Sequence, residues 1–205
     1  MIKDATLNQT FLHDGYIILR GIVPANRLEP LRNAYEIIIG RAREADAEWD
    51  TTATARTHVD PYLDQDTLET LEFALHENTF AVSTQVLGCN AEELALTQVS
   101  VLCNPEFEPT DADPSGQSWG TDPRNWHRDV RPDHDAPLSA LLSDEGANGP
   151  GHAQWNIALY DDSILYLVPG SHRRLTSEVE SAQLQSDGGT QIPLSESICA
   201  DLKPG

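Results

Sequence analysis

The spacing of apolar residues changes its period near Gly88, and this limits the possible folds more than any other feature of the sequence. Before it, apolar residues recur at helical intervals. Thr6–His13 is a short helical stretch ended by the turn signal Asp14-Gly15. Asn26 is placed to cap a helix in which Leu28, Leu31, Tyr35 and Ile38 share a face. A second helical region spans about Asp66–Leu87, with Leu68, Leu71, Leu75 and Phe80 on a common side and Gly88 beyond its end. Between these, Tyr16–Val23 is β-branched and aromatic, bounded by a turn and by Pro24, and so is predicted to be a strand. After Gly88, Leu94–Asn104 alternates as a strand, Pro105–Pro123 is a polar loop, and Gln154–Tyr160, Ser163–Val168 and Ile192–Leu202 are short strand regions. Helices followed by short strands predict an α+β chain whose second part is a β-sandwich or barrel.

At 205 residues, 39% hydrophobic and 22% charged, the chain has the length and composition of one globular domain. Its net charge of −20 argues against a nucleic-acid backbone or an anionic membrane surface as partner, because both select for lysine and arginine. Apolar stretches such as Ile164–Val168 are far too short to span a bilayer, and Met1-Ile2-Lys3-Asp4 is unlike a secretion signal. Cys89, Cys103 and Cys199 show no CxxC spacing, which supports neither a disulfide framework nor a zinc knuckle. The expectation is a soluble, cytoplasmic single domain.

The stretch with the most chemistry is Asn125-Trp126-His127-Arg128-Asp129. On a strand, residues two apart face the same way, so His127 and Asp129 project together while Arg128 points away. An imidazole beside a carboxylate supplies two of the three ligands of a 2-His-1-carboxylate site for non-haem Fe(II). Alone, a His-x-Asp tripeptide is a weak signal, and its bland reading is a surface histidine in a polar loop. Its neighbours add weight. Upstream lies Phe11-Leu12-His13-Asp14-Gly15-Tyr16-Ile17-Ile18-Leu19-Arg20-Gly21. Downstream lie Asn156–Ser163 and then Leu165-Tyr166-Leu167-Val168-Pro169-Gly170-Ser171-His172-Arg173.

In this order the blocks resemble the phytanoyl-CoA dioxygenase family of Fe(II)- and 2-oxoglutarate-dependent oxygenases, over nearly the whole chain. The resemblance implies a double-stranded β-helix (jelly roll) with N-terminal helices packed on it. Residues 1–93 would then form a mainly helical part and residues 94–205 an incomplete jelly-roll core. It implies that His127 and Asp129 bind iron, and that 2-oxoglutarate and O2 are consumed while a small-molecule substrate is hydroxylated. The strand from Thr97 puts Gln98, Ser100, Leu102 and Asn104 on one face. By the resemblance Gln98 and Asn104 are candidates for contacts to 2-oxoglutarate, with Asn156 a further one; Gln98 could equally satisfy a buried backbone group.

The family's second histidine ligand follows a PGD-like turn on a late strand, and an arginine further on pairs with the distal carboxylate of 2-oxoglutarate. Lys203-Pro204-Gly205 looks like the approach to that turn. The expectation is therefore a longer enzyme of which the last jelly-roll strands are missing here, or a catalytically crippled chain with an open-sided site. His172 is expected to be structural, His134 to lie at the site mouth or in solvent, and His152 to lie in a loop. His13, His58 and His76 are expected in capping, surface or packing roles. Trp126 is expected in the core and Trp119 as a lid, while Asp111, Asp113 and Asp122 read as a solvated loop. The rival readings are a non-catalytic binding or scaffold protein of the same fold, and a cupin-like metal enzyme that does not use 2-oxoglutarate. The acidic surface disfavours a polyanionic acyl-CoA, leaving a small neutral or cationic metabolite as the expected substrate.

Overall fold

A computed structural model of the chain describes residues 5–45, 57–59, 62–103, 126–128, 152–163, 165–186 and 192–205. Helix α1 (Ala5–Asp14) ends at Gly15, whose φ of 81° is open to glycine and strained for other residues. The Gly15 N–H closes the turn on Phe11 O at 2.8 Å. Helix α2 (Ala25–Ala45) begins just after Pro24, with Arg27 N bonded to Pro24 O, so Asn26 falls inside the first turn instead of capping it. Pro30 lies within α2 on its exposed side, and the Asn26 carbonyl it leaves without a helical donor belongs to an exposed residue, where water can reach it. The opposite face buries Leu31, Ala34, Ile38 and Ile39; of the stripe expected from the sequence, Leu31 and Ile38 are buried and Leu28 and Tyr35 half-buried.

The expected single helical region before Gly88 is two helices, α3 (Leu68–Ala74) and α4 (Glu77–Leu87). The break has an identifiable cause. His76 has an extended backbone and its Nδ1 accepts the Asn78 N–H at 3.1 Å, capping α4, while its ring stacks on Phe73 with centroids 5.6 Å apart. The buried Thr79 hydroxyl reaches the carbonyls of Phe73, Ala74 and His76 at 2.9–3.0 Å, covering acceptors freed by the interruption. Gly88 closes α4 in the left-handed conformation at φ 67°, as the sequence predicts. Arg27 forks onto Glu69 and Arg41 reaches Asp64 and Asp66, tying α2 to α3 and to the turn before it.

Two antiparallel ladders are present among the described residues. In the first, β1 (Thr57–Val59) pairs with β2 (Val101–Cys103) in the register Thr57–Cys103, His58–Leu102, Val59–Val101. In the second, β3 (Tyr166–Leu167) pairs with β4 (Ile198–Cys199). The second ladder continues through the Asp162–Leu202 bridge and ends where Gly205 N bonds Ala158 O at 3.0 Å. Stretch 158–167 thus runs antiparallel to 198–205. The predicted strands are longer than these ladders. Tyr16–Val23 joins no ladder among the described residues, and its backbone bends at Gly21, whose φ is 67°. Its main-chain partners there are an Asn78 side chain on Ile22 O and the carbonyl of Gly205 on Val23 N. Side-chain composition favours extended backbone, whereas a ladder needs a second chain alongside at ~4.8 Å. Residues 152–157 alternate exposed and half-buried and likewise join no ladder among the described residues.

Helix α5 (Glu178–Gln185) lies beyond the expected set and is started by a capping box between Ser177 and Glu180. The core is built on α2. Ile38 and Ile39 meet Val101 with Tyr35 alongside, and Leu31 meets Val23 and Phe73 with Ile157 and Leu159 packed against them. The helical layer therefore sits on both strand-forming regions. Among the described residues, no helix is long and apolar enough to cross a membrane.

Candidate functional site

The segment Trp126–Arg128 is anchored through its last residue, Arg128. Arg128 Nε donates to Ser171 O at 3.1 Å and its Nη1 to Thr176 Oγ1 at 3.0 Å. His127 is exposed while Arg128 and Trp126 are half-buried. That alternation is the one expected if His127 faces away from Arg128. Asp129, the second predicted iron ligand, lies outside the described residues.

The turn that receives Arg128 is itself pinned to the N-terminal block. Gly170, at φ 70°, starts a 3-10 turn at Ser171–Arg173, and its N–H bonds Asp14 O at 2.8 Å. His172 Nε2 bonds Leu12 O at 3.1 Å, and Arg173 Nη1 donates to the same carbonyl at 3.3 Å. The His172 ring lies so close to Gly15 that a Cβ there would clash with its Nδ1. Glycine at 15 is thus required twice over, by its φ and by this close approach. His172 is thus held against the end of α1. Three stretches far apart in sequence, Leu12–Gly15, Trp126–Arg128 and Gly170–Thr176, meet here.

Below the turn sits a strong ion pair. Arg174 donates from both terminal nitrogens to the two oxygens of Glu180 at 2.7 Å, and Nη2 also reaches Glu196 at 3.4 Å. Glu180 is buried, with 3% of its side chain exposed. It also accepts the Ser177 N–H at 2.7 Å. The Arg174 fork, more than the Ser177 N–H, pulls the Glu180 carboxyl down to about 2, against burial. Burial acts oppositely on Arg128, lowering its guanidinium below the usual range; the Glu180 charge partly restores it and Arg174 lowers it further.

The other candidates are dispersed. Gln98 is exposed on the segment leading into β2, and Asn156 is exposed on the face of 152–157 opposite Trp155 and Ile157. Trp155 on that opposite face donates to Ser83 of α4 at 2.9 Å, so the Asn156 side is turned from the helical layer. Asn104, His134, Trp119 and the Asp111, Asp113 and Asp122 group lie outside the described residues. Of the remaining histidines, His13 is exposed and bonded to Asp14, His58 lies in β1, His76 caps α4 and His152 is exposed. Among the described residues no three His, Cys, Asp or Glu side chains converge to hold a metal ion. The sequence reading assigned nothing to Arg174, Thr176 or Glu180. The signal that could have drawn notice to Glu180 is the Ser177-x-x-Glu180 spacing of a capping box.

No protein family, curated protein or solved structure matches this chain.

Proposed function

We propose that the chain is the iron-binding part of an Fe(II)- and 2-oxoglutarate-dependent dioxygenase of the phytanoyl-CoA dioxygenase type, built on a jelly roll and acting on a small-molecule metabolite. The observation that carries this reading is the meeting of the three sequence blocks. The HDG stretch holds the PGSH turn through Asp14 and Leu12, and the turn in turn holds the residue between the two candidate iron ligands. Their contacts support reading the three blocks together as one unit.

The donor chemistry fits the metal in kind. An exposed imidazole at His127 and a carboxylate two residues on are the nitrogen and oxygen donors that Fe(II) takes. When bound, iron with 2-oxoglutarate and O2 supplies the oxidising power for hydroxylation, and succinate and CO2 are released. The chain's own share is to bind and orient. His127 and Asp129 would hold the metal. Gln98, Asn104 and Asn156 offer polar contacts to the co-substrate. The net charge of −20 favours a neutral or cationic substrate.

The test is succinate release with Fe(II), ascorbate and a panel of small metabolites. The 205-residue chain is expected to bind Fe(II) weakly and form negligible succinate, and a form carrying the second His and the Arg is expected to be active. In the active form Asp129→Ala abolishes succinate formation, and Gln98→Ala mainly weakens 2-oxoglutarate binding. Succinate formation that survives Asp129→Ala overturns the reading. A longer form that binds no 2-oxoglutarate favours the non-catalytic scaffold.

A further inference from the structure

We infer that Arg128 is a positioning residue that fixes the direction of His127 by clamping its own backbone to the 171–176 turn. This rests on the reading of His127 as an iron ligand. Arg128 is half-buried, and among the described residues its guanidinium donates to a backbone carbonyl and a hydroxyl, Ser171 O at 3.1 Å and Thr176 Oγ1 at 3.0 Å. The carboxylate of Glu180 is held at both oxygens by Arg174. A desolvated guanidinium bonded to neutral groups gains little net stability, because burial of its charge offsets those bonds. What it does supply is geometry. A planar guanidinium bonded through Nε and Nη1 fixes its own direction, which a lysine ammonium cannot do.

The geometry passes to His127 through one peptide bond. Arg128 is half-buried against the turn while the adjacent His127 is exposed, so the bonds of Arg128 constrain the backbone that carries His127. The clamp is seated on a rigid base. The receiving turn is fixed from one side by Gly170 N on Asp14 O and by His172 on Leu12 O, and from the other by the Arg174–Glu180 pair. Residues that orient metal ligands change metal affinity by roughly 10–100-fold when removed, without touching the metal themselves.

The experiment uses Co(II) alone as the probe, titrated into the 205-residue chain and followed by its visible absorption, with the melting temperature of each metal-free protein measured in parallel. The wild type is expected to give a band that His127→Ala removes. Arg128→Ala is expected to weaken Co(II) binding by about 10-fold and to shift the band, with Arg128→Lys recovering little. Thr176 is exposed, so Thr176→Ala removes one anchor at small cost to the fold. A several-fold weaker Co(II) affinity in Thr176→Ala, at an unchanged metal-free melting temperature, supports the inference even if Arg128→Ala does not fold. Wild-type binding with Thr176→Ala and Arg128→Lys both unchanged in affinity and spectrum overturns the inference alone. A wild type indistinguishable from His127→Ala overturns both the inference and the iron reading beneath it.

Discussion

Replacing Glu180 with glutamine removes a charge from the most strongly held carboxylate described in the protein, and its cost can be worked from the structure. Glu180 is 3% exposed, takes the Arg174 fork at 2.7 Å on both oxygens, and closes the capping box of α5 through Ser177 N. Its carboxyl is lowered from 4.5 to about 2. At about 1.4 kcal/mol per pKa unit, that depression corresponds to roughly 3 kcal/mol of stability. This agrees with the roughly 3–5 kcal/mol lost when one member of a buried pair is deleted. The folded-state value lies below the unfolded one, so the contribution is fully present above about pH 5 and is lost as the pH falls toward 2. The assay is urea unfolding of wild type and Glu180→Gln at a series of pH values. At pH 7 the variant is expected to be less stable by about 3 kcal/mol, and the gap is expected to close between about pH 5 and 2 as the wild-type carboxylate takes up its proton. Acid effects common to the two proteins cancel in the difference. A gap under about 1 kcal/mol at pH 7, or one that stays constant down to pH 2, refutes the assignment of this pair as a desolvated, stabilising one.

Gly15→Ala combines a left-handed φ of 81° with a Cβ that clashes with the His172 ring, and is expected to cost about 2–4 kcal/mol in urea unfolding. A loss below half a kilocalorie would show that the ring moves aside freely. His76→Ala removes the cap of α4 and is expected to cost about 1 kcal/mol, with faster amide exchange at Asn78. Unchanged exchange there would mean that Thr79 alone holds the break. Phe73 is 1% exposed at the junction of α2 and α3, so Phe73→Ala is expected to cost about 3–5 kcal/mol, read as a fall in the urea midpoint.

The sequence by itself determined those features that depend on neighbours within a turn or two along the chain. The apolar stripe of α2, the end of α1 at Gly15 and the left-handed cap at Gly88 follow from side-chain spacing and from the freedom of glycine. The order of the three motif blocks, and the alternation that separates His127 from Arg128, were legible in the same way.

The tertiary structure decided what depends on distant partners. The break at Leu75-His76 was hidden because Leu68, Leu71 and Leu75 keep helical spacing across it; it is held by the Thr79 hydroxyl and by the stacking of His76 on Phe73. Tyr16–Val23 has strand composition, yet only the surrounding chain decides whether a ladder forms, and what passes beside it is an asparagine side chain and one carbonyl. The clamp of Arg128 on Ser171 spans 43 residues, and the bond of His172 to Leu12 spans 160. A local pattern carries no information about which carbonyl a guanidinium will find at such separations, because that is fixed by how the packed elements bring the segments together.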